Sequence, residues 1–499
     1  MAEVIKLLGP PGTGKTTTLL NYVEEEMEKN DIDKIGYFSF TRKAAHEARD
    51  RAMEKFDLEA KSFKWFSTLH SCGYHSINLE GRAVMGKVQY KSFGDKIGLK
   101  AKLSVDKETG LSDNIYLTHH NLARARGIPL QEHYKKYVDS SVVEWKFLEY
   151  FSQAYDQYKE VNGYIDYSDM CYEAVNENLL PQLDVVFIDE AQDLTPLQWS
   201  MVEHFASTAG KLYLAGDDDQ AIYRWLGADV ERFIEYPATE ITLPQSYRVK
   251  KQIQEFADGI ISITKNRIEK EWEPREEEGL LKYHQTIESV DLSIGNWLIL
   301  GRDKFILSKL EEACRNQGLW YEKQEYKKNV RPIPQRMFEA VIGWNELVEG
   351  NPVDKKTIKK IFYYKKVAEG TNDKIDIMND SHLYDMDTLK VLLGPFSVGE
   401  WHQALDKINL KDRAYLLRLG LGEEDITKKP RIKISTIHGA KGGESDNVLL
   451  ATDMNLKTYN AYQKDSDDEQ RVFYVGATRA KDELHVLLPQ TNMHFRFAL

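Results

Sequence analysis

Short apolar runs closed by small or acidic residues recur along this chain, with stretches of helical spacing between them. Val4, Ile5, Leu7 and Leu8 form the first run, and after a glycine-rich interval Leu19, Val23 and Met27 recur four residues apart. That order predicts a buried strand, a loop and an amphipathic helix. Val185-Val-Phe-Ile188 is a second strand-like run, ending in the adjacent carboxylates Asp189 and Glu190, and Lys211-Leu-Tyr-Leu-Ala215 is a third, leading into Gly216-Asp-Asp-Asp219. Helical spacing, carried by Trp145, Leu148, Tyr155 and Tyr158, marks the stretch between Gly73 and Gln157. Lysines interleaved with aromatics from Lys355 to Lys366 read as a solvated amphipathic helix rather than a contact for duplex phosphates. The acidic cluster Asp465-Ser-Asp-Asp-Glu469 reads as a loop.

The glycine-rich interval carries the first chemistry. Gly9-Pro10-Pro11-Gly12-Thr13-Gly14-Lys15-Thr16 is a complete G-x-x-x-x-G-K-T phosphate loop, continued by Thr17, in the strand–loop–helix setting the motif requires. Its backbone N–H groups would wrap phosphates at the positive end of the helix; Lys15 would reach the β/γ-phosphates and Thr16 would hold Mg²⁺. A nucleoside triphosphate with Mg²⁺ is therefore expected at this loop. Strand ends of α/β sheets are where ligands sit. Asp189 is placed to hold the metal through water, and Glu190 to orient or deprotonate the attacking water. After the third run, Gln220 is a candidate for the γ-phosphate or that water, and Tyr223 and Trp225 offer ring faces on which bases stack.

Composition changes the picture only in part. A chain of 499 residues implies several domains, and 42% hydrophobic with 29% charged residues is a globular balance. No apolar run approaches the roughly 18 residues of a membrane helix, and the first strand begins too early for a signal peptide, so the expectation is a cytoplasmic protein of a bacterial or virus-infected cell. Cys72, Cys171 and Cys314 are too scattered for a metal or disulfide framework. The net charge of −12 argues against bulk electrostatic coating of nucleic acid but leaves open a local basic groove.

In chain order, further segments resemble the UvrD/Rep-type DNA helicases of superfamily 1. Phe38-Ser-Phe-Thr-Arg-Lys-Ala-Ala45 resembles that family's motif Ia, Phe66-Ser-Thr-Leu-His70 its motif Ib, and Asp166-Tyr-Ser-Asp169 the segment before its acidic strand end. Leu243-Pro-Gln-Ser-Tyr-Arg248 resembles motif IV, the stretch Ile434 to Glu444 motif V, and Gln470 to Ala480 motif VI. The resemblance implies an α/β fold with two RecA-like motor domains, 1-72 with 158-240 and 241-349 with 430-499, carrying helical insertions at 73-157 and, in reduced form, 350-429. It implies arginine fingers at Arg248 and Arg479, nucleotide contacts at Tyr247 and Glu444, and a DNA track over Phe40, Thr68, His70, Tyr223, Trp225, Thr436 and His438.

The same resemblance implies an ATP-dependent single-stranded-DNA translocase and helicase of 3'-to-5' polarity, a monomer working at single/double-strand junctions with replication or repair proteins. Two alternatives stay open: a DNA-stimulated ATPase that strips proteins from single strands, and a regulatory nucleotide switch. Departures from the family pattern fall at Arg42, Arg224, Leu226, Gly443 and Ser445, and the adenine-reading glutamine upstream of the loop has no counterpart in this chain.

Overall fold

The computed structural model describes residues 2–99, 112–325, 328–420 and 428–497. They form two compact units, Met1–Glu278 with Lys464–Thr478, and Gly279–Gln463 with Arg479–Phe497.

The first unit is built on a six-stranded sheet in the order Phe66–Thr68, Ile35–Ser39, Val185–Asp189, Lys211–Gly216, Glu3–Leu8, Thr239–Thr242, with every pairing parallel. Val185–Asp189 and Ile35–Ser39 are buried at every position, as expected of strands covered on both faces. One face packs Leu19, Leu20 and Val23 of the helix Lys15–Met27 against Phe187 and Tyr213; the other packs Trp199, Val202 and Phe205 of Pro196–Thr208 against Val186 and Ile188. In register, Ser39 lies opposite Asp189 and Thr68, and Leu8 opposite Gly216. The segments singled out by sequence thus leave the sheet at one carboxyl edge, the edge where ligands bind in open α/β sheets.

The stretch expected as a helical insertion holds the helices Lys87–Lys96, Ile115–Ala125, Leu130–Tyr137 and Trp145–Asn162. Leu148, Tyr155 and Tyr158 are buried, the last two against Phe93. Its bounds differ from 73-157. Gly73 lies inside the helix Leu69–Ser76, where a Cβ would stand 3.3 Å from the Met170 carbonyl, and the last helix runs on to Asn162. The insertion is tied to the sheet domain by a buried charge cluster. Arg124 donates to Asp166 at 2.8 and 3.0 Å and to Asp169, and Lys159 donates to both at 2.7 and 2.8 Å.

Residues 241–278, grouped by sequence with the second motor domain, pack in the first unit as the strand Gln245–Lys250 and the helix Lys251–Ile261. The helix Asp467–Ala477 joins them there, with Thr264 donating to Gln470 at 2.8 Å. The acidic cluster expected as a loop is one only at Asp465 and Ser466, since Asp467, Asp468 and Glu469 form the first turn of that helix, where carboxylates favour the positive end of the helix dipole.

The second unit holds a seven-stranded sheet in the order Leu280–His284, Ala480–Leu487, Ser445–Ala451, Trp297–Gly301, Ile432–Thr436, Tyr321–Glu325, Lys328–Val330, parallel except for its last pair. The expected α/β class with parallel sheets in two domains is therefore what the chain adopts. Helices fill 355–420, among them Lys355–Tyr363. The solvated-helix reading of its lysines holds for exposed Lys356 and Lys359 but not throughout. Lys355 is buried and donates to the Met378 carbonyl at 2.7 Å, and Lys365 is buried and donates to the carbonyls of Ser397 and Ala404 at 3.0 Å. Residues 100–111 and 421–427, inside the ranges expected for the insertions, lie outside the described residues.

Among the described residues no helix is long and apolar enough to cross a membrane. The three cysteines are buried free thiols, and burial pushes Cys72 and Cys314 up to about 12.

Candidate functional site

The phosphate loop leaves the strand Glu3–Leu8 and enters Lys15–Met27 through two glycines in the left-handed region, Gly12 at φ 76° and Gly14 at φ 79°. At Gly9 only glycine fits, because a Cβ there would lie 1.9 Å from Lys15 Cγ. The Lys15 ammonium folds back to donate to the Gly9 carbonyl at 2.6 Å, and Thr13 Oγ1 donates to the Pro10 carbonyl at 2.9 Å. Around Gly14 nothing approaches a built Cβ within 4 Å, and no acidic residue stands in the first turn of the helix. A glycine loop opening on the positive end of a helix suits an anion. Thr16 Oγ1 donates to Asp189 Oδ2 at 3.4 Å. A hydroxyl and a carboxylate so placed share the hard oxygen chemistry that Mg²⁺ prefers.

Asp189 is buried, and Tyr37 OH donates to its Oδ2 at 2.9 Å. Burial and the neighbouring Glu190 push its carboxyl up to about 6. Glu190 itself takes φ 57°, ψ 42°. A left-handed glutamate is strained, and such strain concentrates at functional positions.

From Glu190 a chain of hydrogen bonds crosses to the next strand end. Gln192 Nε2 donates to Glu190 Oε2 at 2.5 Å, Asp217 N donates to Gln192 Oε1 at 3.1 Å, and Gln220 Nε2 donates to Asp217 Oδ2 at 2.7 Å. Asp217, Asp218 and Asp219 are fully buried, and their charge is met from within the fold. Lys270 reaches Asp217 at 3.3 Å, Asp219 at 2.9 Å, and Asp218; Arg267 forks onto Asp219 at 2.9 and 2.7 Å. Burial works against the Lys270 charge, yet the three carboxylates outweigh it and raise the ammonium. Arg471 Nε adds a bond to the Asp218 carbonyl at 2.9 Å. Sequence reasoning missed Tyr37, Lys270, Arg267 and Arg471. Gln192, two residues beyond Glu190, was assigned no role.

Beyond Gln220, Tyr223 stacks on Phe40 with centroids 5.5 Å apart, while Trp225 leaves 51% of its surface exposed. Arg224 is held by Glu231 at 2.7 Å and Asp468 at 2.9 Å. Thr68 is buried and its Oγ1 caps the next helix, accepting from Ser71 N at 3.2 Å. His70 meets Tyr167 edge-on, and burial, with Arg42 nearby, holds its imidazole down to about 4. Beside these residues lies a cavity of about 500 Å³ lined by Arg42, His46, Arg49, Lys61, Lys64 and His75 together with hydroxyls and aromatics, and no lining residue is acidic.

The strand Gln245–Lys250 lies against the phosphate loop. Tyr247 N donates to the Gly12 carbonyl at 2.8 Å and Ser246 Oγ to the Pro11 carbonyl at 2.7 Å. Tyr247 is 74% exposed, and Arg248 Cβ would stand 2.3 Å from a Cβ at Gly12. Gly9 to Thr17, Asp189, Glu190, Gln220, Tyr247 and Arg248 are thus all held in the first unit, with Phe40, Thr68, His70, Tyr223 and Trp225 on the same sheet edge.

In the second unit, Thr436 Oγ1 accepts from Gly439 N at 3.0 Å in the turn that carries half-buried His438. Glu444 pairs with Lys481 at 2.7 Å, and buried Arg479 donates to the Gly443 carbonyl at 3.2 Å.

Comparison with known proteins agrees with this geometry. Residues 1–239 match the UvrD/REP helicase N-terminal domain, and residues 356–491 the UvrD-like helicase C-terminal domain. The chain is 24% identical to "ATP-dependent DNA helicase Rep" of Buchnera aphidicola over 51% of its own length and 40% of that protein's. It is 22% identical to "ATP-dependent DNA helicase PcrA" of Staphylococcus aureus over 74% of its length and 52% of that protein's. It is 27% identical to "Probable DNA helicase II homolog" of Mycoplasma capricolum over 96% of its length and 81% of that protein's. The chain spans about half the length of the first two relatives, or less. The N-terminal match takes in the phosphate loop and both acidic strand ends, the C-terminal match takes in Glu444 and Arg479, and the chain belongs to the UvrD/Rep helicase family.

Proposed function

We propose that this protein is an ATP-dependent single-stranded-DNA translocase and DNA helicase of 3'-to-5' polarity, a DNA-dependent ATP hydrolase that couples turnover to strand unwinding. One observation carries the reading. The hydrogen-bonded chain Glu190–Gln192–Asp217–Gln220 ends three residues before Tyr223, which stacks on Phe40, and five before exposed Trp225. A residue placed to orient the attacking water and the rings placed to grip a base thus share one rigid path, which a motor needs and a simple nucleotide switch does not.

In this reading Gly9 to Thr17 hold the triphosphate, with Lys15 on the β/γ-phosphates. Thr16 and Asp189 hold Mg²⁺, which neutralises charge on the phosphates when bound. Glu190 orients or deprotonates the water, Gln220 senses it, and Tyr247 stacks on the nucleotide base. Arg248 and Arg479 act as arginine fingers and Glu444 as a nucleotide contact. Phe40, Thr68, His70, Tyr223, Trp225, Thr436 and His438 form the DNA track, with the basic cavity beside Thr68 taking phosphates. The sheets of the two units serve as the two motor cores. The protein acts as a monomer on single strands and single/double-strand junctions in the cytoplasm, alongside replication or repair proteins.

The test is ATP hydrolysis with and without single-stranded DNA, run beside unwinding of duplexes bearing a 3' or a 5' tail. Stimulation with unwinding from the 3' tail alone is the expected result. Stimulation without unwinding would favour the protein-stripping alternative, and DNA-indifferent hydrolysis the switch.

A further inference from the structure

The insertion helix Ile115–Ala125 ends in a glycine turn. Gly127 takes φ 63°, its N–H donates to the Arg124 carbonyl at 2.9 Å, and Ile128 N donates to the Ala123 carbonyl at 3.2 Å. The chain then enters Leu130–Tyr137 directly after Pro129, and His133 and Tyr137, four residues apart on that helix, meet Arg126. The Arg126 guanidinium lies over the Tyr137 ring at 4.1 Å from its centroid, and NH1 meets His133 Nδ1 at 3.2 Å. NH2 donates to the carbonyl oxygens of Arg224 and Trp225, both at 3.4 Å.

Three features make this a built contact. His133 is wholly buried, and burial with the adjacent guanidinium holds its imidazole down to about 3, so the ring is neutral. Its Nδ1, facing an obligate donor, is the acceptor; the ring proton therefore sits on Nε2, which meets His119 Nδ1 at 3.1 Å. One side of the guanidinium is thereby anchored and the other is aimed at a single turn, Arg224–Leu226, closed by Gly227 at φ 93°. A carbonyl oxygen carries two lone pairs, so Arg224 O, which accepts from Gly227 N at 2.9 Å, can take a cation as well. The turn's own arginine does not supply one in its place, because the Arg224 guanidinium is bound to Glu231 and Asp468.

We propose that Arg126 is a positioning residue for nucleic-acid binding: it fixes the turn that presents the Trp225 ring to a base, and so makes the helical insertion part of the stacking site. A ring already held in its bound orientation loses less freedom when the base arrives, and that is how a residue without a contact to the strand raises affinity. The proposal rests on the single-strand reading above.

A mutant cycle tests it, reading equilibrium binding of a fluorescent oligo-dT without nucleotide. Trp225→Ala should weaken binding by about 5- to 150-fold. Arg126→Ala should weaken it by less but by at least about threefold, and the double variant should bind no more weakly than Trp225→Ala alone. Arg126→Lys should match Arg126→Ala, because an ammonium cannot reproduce a planar fork between an imidazole and two carbonyls. Thermal unfolding of each variant identifies any that misfolds, and if Arg126→Ala does, the cycle is read with Arg126→Lys on the same criterion. Losses that multiply in the double variant, or wild-type binding by both Arg126 variants, would overturn the proposal while the single-strand reading stands. Failure of the unaltered protein to bind, or an unchanged Trp225→Ala, would overturn both.

Discussion

Replacing Gly12 by alanine should damage the protein through the strand Gln245–Lys250, and the neighbouring Gly14 supplies the control. Both glycines sit at nearly the same left-handed φ, 76° and 79°, so an alanine at either costs about 1–2 kcal/mol in backbone strain. At Gly14 the added methyl meets nothing within 4 Å, and that strain is the whole effect. At Gly12 it meets Arg248 Cβ at 2.3 Å, Ser246 Oγ at 3.0 Å and Arg248 N at 3.1 Å. One of these neighbours is backbone and one is a Cβ, so the strand must move as a body, which adds about 1–3 kcal/mol of overpacking. Gly12→Ala should therefore destabilise the nucleotide-free protein by about 2–5 kcal/mol in total, and scanning calorimetry of the two variants measures the gap. Removing the obstructing carbon in Gly12→Ala/Arg248→Gly should recover part of the loss, since residues in contact are not additive. Equal destabilisation by the two alanines, or no recovery in the double variant, would show that the strand does not bear on the loop as described.

Three further outcomes are expected. Arg479→Ala should leave nucleotide affinity nearly intact and cut steady-state turnover by about 10³ or more; normal turnover would remove the finger role. Lys270→Met leaves three buried aspartates without their shared cation and should cost about 3–5 kcal/mol in thermal unfolding, so a loss below about 1 kcal/mol would mean that Arg267 suffices. Burial holds His120 down to about 4 and His133 down to about 3. The unfolded chain therefore takes up their protons near pH 6.5 while the folded chain does not, and stability falls as pH drops from about 6.5 toward 4, by up to about 1.4 kcal/mol per pH unit for each ring. Unfolding midpoints measured across that range should lose part of this slope in His133→Asn, and an identical slope would contradict the neutral assignment.

What the chain disclosed before folding follows from how local each feature is. The phosphate loop and the two acidic strand ends were legible because contiguous residues must meet one geometric demand, a turn between a buried strand and a helix. Their convergence on one sheet edge follows once the strands are parallel. The charge partners were not legible. Lys270 stands about fifty residues from the aspartates it neutralises, and only tertiary topology brings it there. The lysines from Lys355 to Lys366 read alike in sequence, yet Lys365 is buried because three oxygens happen to converge on it. Asp467 to Glu469 looked like a solvated loop because acidity marks loops and helix starts equally.

The same distinction explains how a chain of net charge −12 carries a reading as a nucleic-acid enzyme. Some of that acidity is met inside the fold. Asp217 to Asp219 meet Lys270 and Arg267, Asp166 and Asp169 meet Arg124 and Lys159, and Glu26 meets Lys211 at 2.7 Å. These six carboxylates face five cations, so the buried clusters together carry a charge of −1 and leave most of the chain's net charge on its surface. The basic cavity beside Thr68 is different. Its cations face outward, and the carboxylates nearest them, Glu59 at 2.8 Å from Lys61 and Asp50 at 3.9 Å from Arg49, are themselves exposed and outside the lining. Exposed pairs contribute little and exchange readily, so a phosphate can displace them at small cost. In the proposed reading, with few such cations available, stacking on Trp225 and the Phe40–Tyr223 pair supplies the larger share of the grip. A hold of that kind is indifferent to base sequence, as the proposed stepping along any single strand requires.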